Sequence, residues 1–373
     1  MKNTLTSYRN KIIHGLYKGL LKPIFFRQDP EEVHDQMTKV GANLGKYKIG
    51  RAMVSGMFDY ENAALTQKIL GINFENPIGL SAGFDKNGEL TDIMPSVGFG
   101  FTEIGSITAK KCEGNAKPRL WRLPKSQSLV VNYGLKNDGC EAIAERLRGK
   151  KFGIPLGISV AMTNCKENLD LTAAVKDYEK AFRTMEPFAS YITVNVSCPN
   201  LEHGQPFLAP HKLDYLFDVL DEIPTLKPIF IKMSPDLAKK ELANMLDVAW
   251  HHRIHGIITT NLTKKRDNQK IMDEYLPELG GMSGKVVQDA ADAMLAFIYK
   301  KAKKRFILIG SGGVFTAADA YKKIRLGASL VQMITGMIYE GPQVIGEINR
   351  GLAELLKRDG YANIHQAIGA DNC

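Results

Sequence analysis

The strongest constraint on the fold is an alternation of short apolar runs with amphipathic helical patterns from residue 76 onward. The apolar runs have the length of buried strands and cover residues 77–83, 101–106, 155–160, 191–197, 228–233, 256–261, 306–312 and 330–336. Helical patterns lie between them, for example at 170–185, 237–252, 284–303, 316–326 and 342–357. Eight such units predict a (β/α)8 TIM barrel, although a doubly wound open sheet gives a similar alternation.

The position of the polar residues favours the barrel. Nearly every predicted strand ends in a glycine, a hydroxyl, an amide or a lysine: Gly83, Ser106, Ser159, Asn195, Lys232, Asn261, Gly312 and Gly336. Barrel enzymes build their active sites at the C-terminal ends of their strands. Two connections are long, 107–139 and 262–283, and loops of that length often act as lids or covering hairpins.

Composition narrows the class of partner. The net charge of +9 and the pI of about 9.1 favour anionic partners: a small acid, an acidic membrane surface or nucleic acid. The five cysteines, Cys373 among them, include no CxxC pair, so we expect a reducing compartment and no zinc site. No apolar run approaches the ~20 residues that span a bilayer, and no signal peptide is recognisable.

The N-terminal segment differs in character. Residues 5–27 place apolar side chains at helical spacing with basic residues between them. This pattern is typical of a helix in a membrane interface, and equally of a helix packed on its own domain. Pro23 is expected to bend or end this helix. A second helix is expected with Asp29 as N-cap and Pro30 in its first turn.

Two domains follow from these patterns. We interpret residues 1–55 as an amphipathic helical region with access to the membrane, and residues 56–373 as the barrel. In the barrel, glycine-containing turns at Gly312, Gly313 and Gly336 end the seventh and eighth strands. Such turns form the usual phosphate site of barrels, so phosphate binding is predicted there.

Several motifs then occur in a characteristic order: NPIGLSAGFDKNGE, GFGFTEIGSIT, GNAKPRLWRL, NVSCPN, GGMSG, IGSGGV and GASLVQMITG. Together they resemble the dihydroorotate dehydrogenase family from about residue 10 to the C-terminus. The segment KPIFFRQDPEEVH resembles the membrane-associated class that passes electrons to quinone. The resemblance implies an oxidoreductase of pyrimidine (UMP) biosynthesis that binds FMN at the barrel mouth, with its N-terminal helices in the membrane surface forming a quinone tunnel.

The resemblance also implies roles for residues. Those expected to bind FMN are Ala82, Gly83, Ser106, Ser159, Asn195, Lys232, Thr260, Gly284, Gly312, Gly313, Thr335 and Gly336. Lys232 has a physical role as well, because a cation near the N1–C2 carbonyl edge stabilises an anionic reduced ring.

The implied substrate is dihydroorotate and the product orotate. Lys86 would meet the carboxylate or a ring carbonyl, and amides would read the ring edge; these are Asn132, Asn195, Asn200 and Asn261. Cys198 occupies the position of the catalytic base, which removes the C5 proton while the C6 hydride passes to flavin N5. A thiolate is needed for this step, so we expect nearby cations or dipoles to lower the pKa of Cys198.

The chain departs from the family pattern at several positions. The quinone class has serine where this chain has Cys198, and cysteine belongs to the soluble class. Val131 stands at a substrate amide position, with Asn132 one residue later. The remaining departures are Ser159 for an asparagine, Leu262 for a hydroxyl and Ile334 for an aromatic residue. Val131 and Leu262 bear on the identity of the substrate, because a polar ring left without partners binds poorly.

Alternatives therefore stay open. A soluble acceptor such as fumarate or NAD would replace quinone, or another dihydropyrimidine would replace dihydroorotate. A tRNA dihydrouridine synthase is disfavoured because the basic residues are scattered, and no nucleic-acid partner is expected. A membrane-attached FMN-binding protein without turnover is the non-enzyme alternative. The first hypothesis predicts a peripheral membrane protein, on the cytoplasmic face of the inner membrane if the source is bacterial.

Overall fold

A computed structural model describes residues 2–202, 204–302 and 304–372, with side chains from residue 8 onward; Cys373 lies outside the described residues. Its strands in chain order are β1 Gln67–Ile69, β2 Ile72–Phe74, β3 Ile78–Leu80, β4 Phe101–Ile107, β5 Leu120–Leu123, β6 Ser128–Val131, β7 Leu156–Val160, β8 Tyr191–Asn195, β9 Ile229–Met233, β10 Gly256–Thr259, β11 Gly281–Gly284, β12 Ile307–Ser311 and β13 Leu330–Met333. The predicted barrel is confirmed: parallel strands close in the order β3-β4-β7-β8-β9-β10-β12-β13.

Helices surround the barrel and precede it. They are α1 Lys2–Leu16, α2 Lys22–Phe26, α3 Pro30–Lys46, α4 Lys48–Phe58, α5 Met94–Val97, α6 Cys140–Leu147, α7 Leu171–Met185, α8 Pro210–Asp221, α9 Lys239–His251, α10 Gln288–Ala302, α11 Ala317–Arg325, α12 Thr335–Glu340, α13 Val344–Arg358 and α14 Ile364–Ala367. The helix expected from residue 284 begins only at Gln288, because Gly281–Gly284 pairs with β6 as strand β11.

The closed end of the barrel is filled by aromatic rings. The β1–β2 hairpin contributes Phe74, whose ring meets that of Phe101 edge to face at 5.5 Å. Tyr191 continues this cluster, and the neighbouring strand has Gly157 where a Cβ would lie 2.2 Å from the Tyr191 ring. Glycine is therefore needed at Gly157 to leave room for the tyrosine.

The two long connections cover the open end. The first contains the β5–β6 hairpin and the second contains β11, and together they form a three-stranded antiparallel sheet in the order β11-β6-β5. The prediction that these connections act as covering hairpins is confirmed, since residues of β5, β6 and β11 line the cavity at the barrel mouth. The three-stranded sheet therefore covers one side of the barrel mouth.

The N-terminal helix does not end at Pro23. A wide π turn over Tyr17–Leu21 links α1 to α2, and Pro23 falls in the first turn of α2, where its missing N–H is tolerated. The second helix begins as predicted, since the Asp29 side chain accepts hydrogen bonds from the backbone N–H groups of Glu31 and Glu32. The predicted domain boundary at residue 55 falls within α4, which ends at Phe58.

The π turn and the start of α2 pack on α12 of the barrel through polar and basic side chains. Lys18 pairs with Glu340 at 2.5 Å, and the hydroxyl of Tyr17 donates to the Ile338 carbonyl at 2.6 Å. Lys22 lies over the Tyr339 ring at 4.9 Å. The basic side of this amphipathic segment therefore faces its own protein.

The apolar side of the same segment faces outward. Between 45% and 65% of each of these side chains is exposed: Tyr8, Ile12, Leu16, Leu20 and Ile24. We call these five residues the apolar stripe. The helices α3 and α4 add exposed Val40, Ile49 and Met53. Within the described ranges, no helix is long and apolar enough to cross a bilayer.

Candidate active site

A cavity lies at the C-terminal mouth of the barrel, between the strand ends, the three-stranded sheet and α3. It brings together most of the predicted site residues: Ala82, Gly83, Lys86, Ser106, Asn195, Cys198, Asn200, Lys232, Thr260, Asn261, Gly284, Gly312, Gly313, Thr335 and Gly336. Two predicted residues, Asn132 and Ser159, are not among the cavity-lining residues.

A chain of hydrogen bonds orients the amides on one wall. Asn195, at the end of β8, donates from Nδ2 to Ser106 Oγ at 2.8 Å and accepts at Oδ1 from Asn261 Nδ2 at 3.1 Å. Ser159 is fully buried, and its Oγ lies 2.7 Å from Ser106 Oγ. Ser159 thus supports Ser106 from behind instead of facing the cavity.

The Asn132 side chain is hydrogen-bonded outside the cavity. Asn115 donates from Nδ2 to Asn132 Oδ1 at 3.0 Å and to the Asn200 carbonyl at 3.1 Å. The preceding residue, Val131, lines the cavity instead. The side chain of Asn200 is buried, and its Oδ1 has no hydrogen-bond partner among the described residues. A buried acceptor without a partner fits an N–H donor of a ligand.

The environment of Cys198 differs from the expectation of a lowered pKa. Burial raises the pKa of this thiol to about 11, although the Asn200 backbone N–H and the charges of Lys232 and Lys264 act in the opposite direction. Only 8% of Cys198 is exposed, so desolvation of the thiolate outweighs the cations. The side chain is therefore a protonated thiol at neutral pH.

Lys232 is a buried cation at the end of the cavity. Its side chain extends from β9, 5% of the residue is exposed, and burial lowers its pKa. Nζ donates to Ser81 Oγ at 3.3 Å, the one hydrogen bond found for it in the described part of the chain. An ammonium with one long hydrogen bond has donors left for an anionic ligand edge.

Glycine turns form the far end of the cavity. Gly312 and Gly313 have φ angles of 91° and 75°, which favour glycine. Gly83 has a φ of 108°, and a Cβ there would make an ordinary van der Waals contact with Ile334 at 3.9 Å. These turns leave backbone groups accessible to a ligand.

Sequence reasoning missed two residues that hold Lys86. His34, on α3, places Nε2 3.0 Å from Lys86 Nζ, and the ring centroid of Tyr133 lies 4.2 Å from the same atom. Burial lowers the pKa of Lys86 to about 8. The signal was present, because His34 closes the DPEEVH motif, but no local pattern places α3 beside the barrel mouth.

One side of the cavity is apolar. Its lining there consists of side chains from β5, β6 and the start of α12: Leu120, Leu129, Val131, Ile334 and Ile338. We call this side the apolar arm. Nearby, Phe26 of α2 packs edge to face on Tyr339 of α12 at 5.2 Å. The apolar arm therefore lies beside the N-terminal helices.

A second cavity of about 550 Å³ adjoins the first. It is more polar, and His34, Phe84, Lys86 and Lys136 line both cavities. Across the described ranges, no group of three or more His, Cys, Asp or Glu residues is arranged to hold a metal ion.

Comparisons with known proteins bear on the family of this chain. The family model described as dihydroorotate dehydrogenase matches residues 64–356. A relative from Trichodesmium erythraeum named dihydroorotate dehydrogenase (quinone) is 34% identical, covering 96% of this chain and 99% of its own length. One of the same name from Christiangramia forsetii is 35% identical, covering 91% and 99%. The crystal structure of ligand-free DHODH from Eimeria tenella matches with a TM-score of 0.83 at 30% identity, over 92% of this chain and 100% of that one.

Proposed function

Because the chain belongs to the dihydroorotate dehydrogenase family, we propose that its barrel-mouth cavity binds FMN, oxidises dihydroorotate to orotate and passes the electrons to a quinone. The observation that carries this proposal is the convergence of a buried cation, three amides and a thiol on one cavity. Dihydroorotate is a small anion with a ring of alternating donors and acceptors, which this set of groups matches.

The residues present fit FMN. Lys232 is a buried ammonium with unused donors, suited to the carbonyl edge of an isoalloxazine ring. Gly83, which has no side chain to crowd the cavity, suits a ring edge, and the turns at Gly312 and Gly313 suit a phosphate. When bound, FMN supplies the acceptor for the hydride from substrate C6.

On the substrate, we assign the proton transfer to Cys198. Its Sγ takes the proton from C5, and the Asn200 Oδ1 without a partner accepts from a ring N–H. Asn195 and Asn261 read the remaining ring edge, and Lys86 meets the carboxylate. With a pKa raised to about 11, the thiolate is scarce at neutral pH but strongly basic when formed, which suits abstraction from carbon.

The apolar arm is the proposed route of the quinone. It lies beside the N-terminal helices, since Phe26 of α2 packs on Tyr339 of α12, and the apolar stripe of these helices is exposed. An exposed row of large apolar side chains is typical of a surface that lies in a membrane. We therefore propose peripheral attachment through residues 5–27, on the cytoplasmic face of the inner membrane in a bacterium, and quinone access through the helices before the barrel.

Two substitutions at the cavity bear on the substrate. Val131 and Leu262 both line the cavity, so each places an apolar side chain where the family pattern has a polar one. Asn195, Asn200 and Asn261 line the same cavity and supply amide donors and acceptors for the ring. We therefore retain dihydroorotate as the substrate.

The choice of acceptor is tested by comparing acceptors on one preparation. FMN-loaded protein with dihydroorotate should turn over with a short-chain quinone and show at most a few per cent of that rate with fumarate or NAD. The names of the relatives favour quinone as the acceptor, whereas a cysteine at position 198 is typical of the soluble class. A higher rate with fumarate or NAD than with quinone would refute the quinone assignment and leave the first half-reaction intact.

A further inference from the structure

The amino group of Lys86 is held by a residue that lies outside the barrel. Lys86 follows β3, at the junction of the two cavities, and its Nζ lies 3.0 Å from Nε2 of His34 on α3. On another side, the Tyr133 ring centroid is 4.2 Å away. The lysine is thus fixed between the N-terminal helices and the covering sheet.

The geometry makes His34 an acceptor for Lys86. Burial and the charges of Lys86 and Lys136 lower the pKa of His34 to about 3, so its ring is neutral. The Phe84 backbone carbonyl accepts from the ring, and the Phe84 side chain packs edge to face on it at 4.9 Å. With one ring nitrogen donating to Phe84, the lone pair of Nε2 is left to accept from the Lys86 ammonium.

We propose that His34 is a positioning residue for the substrate, through which α3 completes the site by aiming the Lys86 ammonium at the substrate carboxylate. The inference rests on the proposed role of Lys86. It assigns to the N-terminal region a part in substrate binding in addition to membrane contact and quinone access.

The charged groups around Lys86 leave its ammonium available. Glu31 and Asp35 of α3, Asp85 and Lys136 act on it electrostatically. Glu31, however, is paired with Arg119 at 2.9 Å and with Lys136 at 3.3 Å.

The adjacent carboxylate is occupied as well. Asp85 accepts hydrogen bonds from the backbone N–H groups of Glu89 and Leu90. Within the described ranges no carboxylate forms an ion pair with Lys86. A neutral histidine can hold the amino group in place without neutralising it, whereas a carboxylate there would compete with the substrate.

The test measures Kd of orotate for the FMN-loaded protein between pH 6 and 9. The change in flavin absorbance on binding is the signal. In His34→Ala, we expect Kd for orotate to rise about 10-fold or more, the loss of a hydrogen bond to a charged group. His34→Gln keeps an acceptor oxygen, and we expect its Kd to stay within about 3-fold of the parent. Gln36→Ala, at an exposed position on the same helix, is the matched control.

The pH profile separates positioning from packing. In the parent, orotate binding should weaken as pH rises through the Lys86 pKa of about 8. In His34→Ala this weakening should begin at lower pH, because the ammonium has lost an acceptor that favours its charged form. Equal flavin content in all variants confirms that each one folds.

Each contrary result has a distinct meaning. If His34→Ala binds orotate like the parent at every pH while Lys86→Ala loses binding, the inference is overturned and the proposed function stands. If Lys86→Ala also binds like the parent, the assignment of Lys86 itself fails. If His34→Gln is as weak as His34→Ala with an unshifted pH profile, His34 acts by packing and the positioning role is refuted.

Discussion

The raised pKa of Cys198 makes the first prediction, at the scale of a residue. At saturating dihydroorotate, the anaerobic rate of flavin reduction should climb about tenfold per pH unit between pH 6 and 9, because the thiolate fraction rises toward a pKa of about 11. Cys198→Ala should reduce the rate by roughly 10²- to 10⁴-fold. Stopped-flow absorbance measures both.

A control and a contrary outcome are available for this base. Cys165→Ala removes a free cysteine that does not line the cavity, and it should leave the rate unchanged. A rate that is independent of pH over this range, or a Cys198→Ala variant as fast as the parent, would remove Cys198 from the mechanism.

The residues also show where sequence reasoning stops. The polar residues at the predicted strand ends located Lys232, Asn195 and Asn261 at the barrel mouth, because parallel strands bring their C-terminal ends together. The orientation of Val131 and Asn132 was not accessible. Successive side chains near a strand point to opposite faces, so a shift of one residue exchanges the side chain in the cavity for the one outside it.

At the scale of elements, the apolar stripe makes a prediction about membranes. Replacing Ile12 and Leu20 by glutamate should abolish co-sedimentation with anionic liposomes, because both side chains are exposed and face away from the barrel. Folding should be unaffected, since exposed substitutions change stability by only about 0.5 kcal/mol. Activity with a water-soluble acceptor should stay at the parent level.

The matched control is an exposed leucine elsewhere. Leu226 lies fully exposed between α8 and β9, far along the chain from the stripe, and Leu226→Glu should bind liposomes like the parent. Retention of liposome binding in the Ile12/Leu20 double variant would show that the stripe is not the membrane surface.

His252, at the C-terminal end of α9, gives a second prediction at the scale of elements. His252 Nδ1 lies 2.8 Å from Asp221 and Nε2 3.0 Å from Asp214, and these carboxylates raise the pKa of the histidine. A raised folded-state pKa contributes stability that is full below the unfolded value of about 6.5 and is lost as pH rises through the folded value. Thermal unfolding should therefore show that His252→Ala lowers Tm more at pH 6 than at pH 9.

The exposed His365 supplies the comparison, since His365→Ala should change Tm little at either pH. An equal loss of Tm at both pH values in His252→Ala would mean that the histidine stabilises by packing alone.

The elements were mostly predictable. The eight barrel strands lie within or close to the apolar runs, because buried parallel strands read as continuous apolar segments. The error at residues 284–287 arose because GGMSG is too short and too rich in glycine to read as a strand. The hydrogen bond from the Tyr17 hydroxyl, in the π turn, to the Ile338 carbonyl is a contact that no local pattern encodes.

At the scale of the molecule, the aromatic cluster at the closed end of the barrel predicts that a small substitution lowers the free energy of unfolding strongly. Gly157→Ala would place a Cβ 2.2 Å from the Tyr191 ring, and overpacking of this kind costs about 1–3 kcal/mol or more. Gly56→Ala, in α4 with open space around it, should be neutral or stabilising by about 1 kcal/mol. Urea unfolding compares the two variants. Equal stability would contradict the packing described for the closed end of the barrel.

The whole-molecule arrangement was the least predictable part. The sequence indicated an amphipathic first helix but left open whether it packs on the protein or on a membrane. The structure shows that its basic side is used for packing and its apolar side is exposed. Hydrophobic periodicity identifies two sides of a helix without telling which one meets the protein.

The central claim is that this cavity oxidises dihydroorotate with a bound flavin. The most direct measurement is anaerobic mixing of the FMN-loaded protein with dihydroorotate, followed by absorbance of the oxidised flavin. Rapid and complete bleaching, with one orotate formed per flavin, is the predicted result. A flavin that stays oxidised with dihydroorotate, yet is reduced by dithionite, would contradict the account and point to another dihydropyrimidine as substrate.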